Sequence, residues 1–139
     1  MFNILIVEDN TEKLRTIFET LGSIQGIDVD LIDHDVDSFG AKKRLKEKFY
    51  DLLILDIAIP LRKSEVVDLE GGIKLLNEIL QRDMYKVPSH IIGLTAYEEV
   101  LIKAQTEFAS SILSVISYSS TDIEWKTFLH NGVEQRFHS

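Results

Sequence analysis

Short, mostly apolar runs alternate with amphipathic segments along the chain. A run of four or five such residues fits a strand buried on both faces, whereas apolar residues three or four positions apart fit the covered side of a helix. Five runs of the first kind occur, at residues 3–7, 29–32, 52–55, 90–94 and 112–116. A helical pattern follows each run, within residues 11–22, 38–49, 73–80, 100–108 and 121–129.

This strict alternation of strand and helix predicts the class of the fold. Parallel strands joined by right-handed helical crossovers leave helices on both faces of one sheet. We therefore expect a doubly wound α/β fold of (βα)5 type, with a flavodoxin-like parallel sheet of five strands in the order 2-1-3-4-5. The chain of 139 residues suffices for one such domain, spanning residues 1–139.

Capping signals predict two helix starts more closely. Asn10 or Thr11 is suited to cap the first helix, and Gly22 is suited to end it. Residues 121–124, with the sequence TDIE, have the pattern of a capping box before the last helix.

Polar side chains stand where three of the predicted strands end. Glu8 and Asp9 follow the first strand, Asp56 follows the third, and Thr95 follows the fourth. Ligands of open α/β sheets bind outside the carboxyl ends of the strands. If these three strands are neighbours, three carboxylates and one hydroxyl converge on one spot.

Three carboxylates packed together repel one another, so one of them must hold a proton unless a cation neutralises them. A hard divalent cation with oxygen ligands resolves the repulsion, and Mg²⁺ is the abundant choice. A carboxylate beside the cation can attack phosphorus and form an acyl phosphate. Thr95 could then hydrogen-bond a phosphoryl oxygen and report its presence.

Three segments resemble the receiver domain of two-component response regulators. They are ILIVEDN at 4–10, LLILDIAIP at 52–60 and GLTAY at 93–97, and the resemblance extends over essentially the whole chain. The resemblance implies that Asp56 is the phosphoacceptor, that Glu8 and Asp9 are the metal-binding pair, and that Thr95 is the switch hydroxyl. It further implies that the backbone carbonyl of Ala58 adds a metal ligand and that Ala96 leaves room for the phosphoryl group.

The chain departs from the receiver pattern at the end of the fifth strand. Receivers carry a lysine there, whereas this chain has no Lys or Arg between Ala104 and Trp125. Tyr118 is the expected replacement, with Ser117 and Ser119 as alternatives. A tyrosine can donate a hydrogen bond but brings no positive charge.

A second departure is an insertion at residues 61–70, where the receiver link is shorter. Arg62 or Lys63 in this segment could supply the missing charge. The alternative interpretation is a solvated loop that tolerates extra length.

Composition narrows the function classes. The absence of cysteine excludes disulfides and thiolate metal sites, and the net charge of −8 disfavours direct binding to nucleic acid. No apolar run approaches the length of a membrane span, and no secretory signal is recognised at the N-terminus, so a cytoplasmic location is expected.

These observations favour a signalling receiver rather than an enzyme. The resemblance implies that Asp56 accepts a phosphoryl group from a histidine kinase or phosphotransfer protein, and that the face of helix four, strand five and helix five then binds an effector or a second copy. The alternative is a pseudo-receiver, an interaction module that does not signal by phosphorylation. A haloacid-dehalogenase-type hydrolase needs a second Asp where this chain has Ala58, and an FMN binder needs a Ser/Thr/Gly-rich loop in place of residues 8–10.

Overall fold

The computed structural model describes residues 1–108 and 113–138, and within them the predicted alternation is confirmed. One parallel sheet has the order β2-β1-β3-β4-β5, as predicted. The predicted start of the fifth strand, residue 112, lies outside the described residues. The strands are β1 (Ile4–Val7), β2 (Ile32–Asp35), β3 (Leu52–Asp56), β4 (His90–Thr95) and β5 (Leu113–Ser117). The helices are α1 (Thr11–Gly22), α2 (Ser38–Glu47), α3 (Gly71–Gln81), α4 (Glu98–Glu107) and α5 (Glu124–Phe137).

The sheet separates two apolar layers because side chains alternate between its faces. Leu5 and Val7 of β1 point into the layer formed with α2, α3 and α4. Ile4 and Ile6 point into the opposite layer, formed with α1 and α5. The central strands β1 and β3 are buried along their whole length, which fits the apolar runs in the sequence.

The second strand was predicted at residues 29–32, and the structure shows that this was wrong. Val29–Leu31 form a 3₁₀ turn, and the strand follows at Ile32–Asp35. The Asp28 side chain accepts a hydrogen bond from the Asp30 backbone N–H and so favours the turn. Because β2 is an edge strand that pairs with β1 alone, its residues are only half-buried and need no apolar run.

The helix-end predictions have mixed outcomes. The Asn10 side chain accepts from the Lys13 backbone N–H and caps α1, which ends at Gly22 as expected. The capping box at residues 121–124 does not form. Asp122 Oδ1 accepts from the Glu124 backbone N–H instead, while Thr121 bonds to Ser119.

The link from β3 to α3 is a tight approach of backbone to backbone. The Gly72 N–H donates to the Ile57 carbonyl over 2.7 Å, and a Cβ at Gly72 would stand 2.8 Å from the Ile57 Cα. Inserted residues 61–70 leave the sheet here and return through an antiparallel bridge between Ile59 and Asp68. In the described part of the chain, no helix has both the length and the apolar character that crossing a bilayer demands.

Candidate functional site

Three acidic side chains meet at the carboxyl edge of the sheet, as the strand ends predicted. Each of Glu8, Asp9 and Asp56 offers a carboxylate oxygen, and these oxygens lie within 4.8 Å of one another. They line an open cleft of about 230 Å³. Glu8 and Asp56 are buried, at 1% and 8% exposure, whereas Asp9 is exposed.

Backbone N–H groups hold the two buried carboxylates in place. Asn10 N donates to Glu8 Oε2 over 3.1 Å, and Ala58 N donates to Asp56 Oδ1 over 3.0 Å. In both bonds the donor lies two residues after the carboxylate in the chain. The turns that follow β1 and β3 therefore orient the Glu8 and Asp56 side chains. Ala58 also lines the cleft.

The buried acids are short of positive charge. Among the described residues, no hydrogen-bond donor is aligned with Glu8 Oε1, although this atom is buried. Burial and the Asp56 carboxylate raise the pKa of Glu8 from 4.5 to about 8. Burial also raises the pKa of Asp56, although the Lys13 ammonium opposes that rise. The site therefore favours a bound proton or a bound cation.

Lys13 on α1 belongs to this site, although no sequence motif predicted it. Its Nζ lies 3.2 Å from Glu8 Oε1 and 3.6 Å from Asp56 Oδ1. Lys13 is only 7% exposed. It shares the buried side of α1 with Ile17 and Leu21, at intervals of four residues, and this position was the signal that could have identified it.

Three residues were expected as replacements for the strand-five lysine, and Tyr118 is the one that lines the cleft. The Lys13 Nζ stands 4.2 Å from the centroid of the Tyr118 ring. The Tyr118 N–H donates to the Thr95 carbonyl over 2.8 Å. Ser117 pairs with Thr95 at the end of β5, and the Ser119 hydroxyl bonds to Thr121 at the surface.

Thr95 lies beside the cleft rather than in its wall. It is 1% exposed, and its Oγ1 accepts a hydrogen bond from the Tyr97 backbone N–H over 3.1 Å. Ala96 and Tyr97, the next two residues, line the cleft. The Thr95 hydroxyl is therefore engaged within the turn that follows β4.

The structure does not bring Arg62 or Lys63 to the carboxylates. The Arg62 guanidinium covers the Phe39 ring at 4.2 Å from its centroid. The Lys63 backbone N–H donates to Asp37 Oδ2 over 2.6 Å, which ties this part of the insertion to the start of α2. Val67 is the inserted residue that lines the cleft.

The donor set fits a hard divalent cation. Three carboxylates within 4.8 Å, one of them with a buried oxygen that lacks an aligned donor, are oxygen ligands of the kind that Mg²⁺ prefers. The cleft is open on one side, so a ligand can share the coordination shell. Asp56 lines this cleft and is slightly more exposed than Glu8, at 8% against 1%, so its carboxylate is suited to act as a nucleophile.

Several solved structures with a similar fold are response regulators. The Mn²⁺-bound form of the response regulator Rcp1 superimposes with a TM-score of 0.70 at 22% identity, over 97% of this chain and 93% of that one. A response regulator from Hahella chejuensis has a TM-score of 0.72 at 18% identity, over 97% and 93% of the two chains. The chain has a receiver-domain fold. The phosphorylated cyanobacterial phytochrome response regulator RcpA matches this receiver fold with a TM-score of 0.71 at 21% identity, over 99% and 94% of the chains.

Sequence comparison adds one relative of this protein. Protein y4jS of Sinorhizobium fredii, itself uncharacterised, is 34% identical over 123 residues, which are 88% of this chain. The match spans only 30% of the length of y4jS. No family model matches the chain.

Proposed function

We propose that the chain is a signalling receiver domain in which Asp56 accepts a phosphoryl group. The observation that carries this proposal is the pair of buried acids, Glu8 and Asp56, beside Asp9 at the open edge of a receiver-type sheet. One ammonium, that of Lys13, faces three carboxylates here, and this remaining excess of negative charge favours a metal-assisted chemical role.

The residues have distinct roles in this proposal. Glu8, Asp9 and Asp56, with the carbonyl of Ala58, would hold Mg²⁺, which when bound supplies positive charge for the incoming phosphoryl oxygens. The Ala58 N–H fixes one oxygen of Asp56 and leaves the other to attack phosphorus. A P–O bond forms as the P–N bond of a phosphohistidine donor breaks, and the donor is a cytoplasmic histidine kinase or phosphotransfer protein.

The response would pass to the face formed by α4, β5 and α5. Thr95 leaves its bond to Tyr97 and turns to the phosphoryl group, which moves the turn before α4. An apolar cleft of about 440 Å³ on this face, lined by Leu101, Val115 and Phe128, offers a docking site for an effector or a second copy of the chain.

Intact mass tests the proposal. The full chain is incubated with Mg²⁺ and acetyl phosphate, and a gain of one phosphoryl group is expected. Asp56→Asn should abolish the gain, whereas Asp83→Asn, which changes an exposed aspartate after α3, should keep it. Absence of any gain from acetyl phosphate or a phosphorylated histidine donor would make the pseudo-receiver, an interaction module of the same fold, the correct interpretation.

A further inference from the structure

We propose that Lys13 is the internal cation of this site. It supplies, from α1, the positive charge that receivers take from strand five, and it competes with the divalent cation for Glu8 and Asp56. The part of this inference that concerns phosphorylation rests on the proposed function, whereas the competition with metal does not.

The first step is the placement of the ammonium. Lys13 Nζ is within 4 Å of an oxygen on each of the two buried carboxylates, at 3.2 Å for Glu8 and 3.6 Å for Asp56. A lysine is rarely buried to 7% exposure unless it is paired, and both partners here are themselves buried. The ion cluster is therefore shielded from solvent. Charges in such a buried place interact more strongly than charges at the surface.

The second step is the way in which this position is fixed. The Lys13 backbone N–H is bonded to the capping side chain of Asn10 over 2.9 Å, so the first turn of α1 is held against the end of β1. The side chain then runs along the buried side of the helix toward the carboxylates. A helix cap and a core-facing position together aim this lysine into the site.

The third step is the role of Tyr118. Its ring lies 4.2 Å below Lys13 Nζ, within the range of a cation–π contact. Trp125 of α5 holds the ring by an edge contact, with centroids 5.0 Å apart. Tyr118 thus positions the ammonium. Receivers carry a lysine at this position, whereas here Tyr118 supports Lys13, a lysine from α1.

The competition follows from charge. A divalent cation bound by Glu8 and Asp56 would share these ligands with a lysine ammonium, and like charges at such distances repel. Loss of the Lys13 charge should therefore have two effects of opposite sign. Metal binding should tighten, whereas transfer of the phosphoryl group should slow because a charge-assisted contact is lost.

The first experiment measures Mg²⁺ affinity of the unphosphorylated chain by titration. Lys13→Met should bind Mg²⁺ about tenfold more tightly or better than the parent. Lys13→Arg, which keeps the charge, should stay close to the parent. Arg15→Met removes one positive charge from the exposed side of the same helix and should change the affinity little. Lys13→Gln gives a second neutral side chain if the Met variant does not fold.

Two results would overturn the competition with metal. One is unchanged Mg²⁺ affinity in both neutral variants at position 13. The other is an equal gain in affinity from Arg15→Met, because the effect would then reflect net charge rather than the local contact.

The second experiment measures the initial rate of phosphorylation at saturating Mg²⁺. Lys13→Met should lower this rate about tenfold or more. Lys13→Met combined with Tyr118→Lys moves the charge to strand five and should recover much of it. An unchanged rate in Lys13→Met would overturn this role. If the parent itself takes up no phosphoryl group, the proposed function fails, and the Mg²⁺ titration still decides whether Lys13 competes with metal.

Discussion

Glu8→Gln should remove a large part of the dependence of stability on pH. Because burial raises the pKa of Glu8 from 4.5 to about 8, the folded chain binds this proton more tightly than the unfolded chain. The free energy of unfolding in the absence of metal should thus be highest below pH 4.5. It should fall as the pH rises, and the loss should be complete only above the folded pKa of about 8.

The shift sets the size of the effect. A rise from 4.5 to about 8 corresponds to at most roughly 5 kcal/mol, at about 1.4 kcal/mol for each pH unit. This is a substantial share of the ~5–15 kcal/mol that stabilises an ordinary domain. The raised pKa of Asp56 adds a contribution of the same sign.

Urea unfolding in a chelating buffer, repeated at intervals between pH 5 and pH 9, measures the effect. Glu8→Gln should flatten the profile and make the variant more stable than the parent at pH 8 and above. Glu12→Gln, which removes an exposed carboxylate of α1, is the control and should retain the parental slope. Addition of Mg²⁺ should restore stability to the parent at high pH, because a bound cation replaces the proton. A parental profile that stays flat, or a Glu8→Gln profile as steep as the parental one, would refute the reasoning.

Two further predictions concern the neighbouring turns. Thr95→Ala should leave the fold intact, since it removes a small group from a strand end. The variant should lose more of the phosphorylation-linked partner binding than of phosphorylation itself. An equal binding response in variant and parent would show that Thr95 has only a structural role. Gly72→Ala should lower the free energy of unfolding in urea by about 1–3 kcal/mol, because the new Cβ would lie 2.8 Å from the Ile57 Cα. Gly22→Ala is the control, since its Cβ would lie 3.8 Å from its nearest neighbour, and it should lower the free energy of unfolding by less than about 1 kcal/mol.

The sheet and its acidic edge could be predicted because both follow from local patterns. Buried parallel strands are marked by short apolar runs, and β1 and β3 are of this kind. Once the strand order is fixed, the residue after each run lies at the carboxyl edge, so Glu8, Asp9 and Asp56 had to approach one another. The edge strand β2 lacked this signal because only one neighbour covers it, and so its position was predicted too early in the chain.

The cation of the site could not be predicted in the same way. Chain position predicted Tyr118 as the replacement for the strand-five lysine and left Arg62 or Lys63 as possible sources of charge. The structure places the Arg62 guanidinium on the Phe39 ring and bonds the Lys63 backbone N–H to Asp37. Lys13 was not among the predicted site residues, and little in its local sequence distinguishes it from a solvated lysine on a helix. Lys13 is buried because it lies on the same side of α1 as Ile17. This burial is a tertiary property, which the helical pattern indicates only weakly.

The placement of the cation on α1, with an aromatic ring at the end of strand five, has a consequence for how such chains are recognised. A search that demands lysine at the end of strand five rejects this sequence. A search for lysine four residues after the second acid, together with an aromatic residue at the end of strand five, accepts it. Since the ring at position 118 supports the ammonium from position 13, we expect the two positions, 105 residues apart, to vary together among homologues.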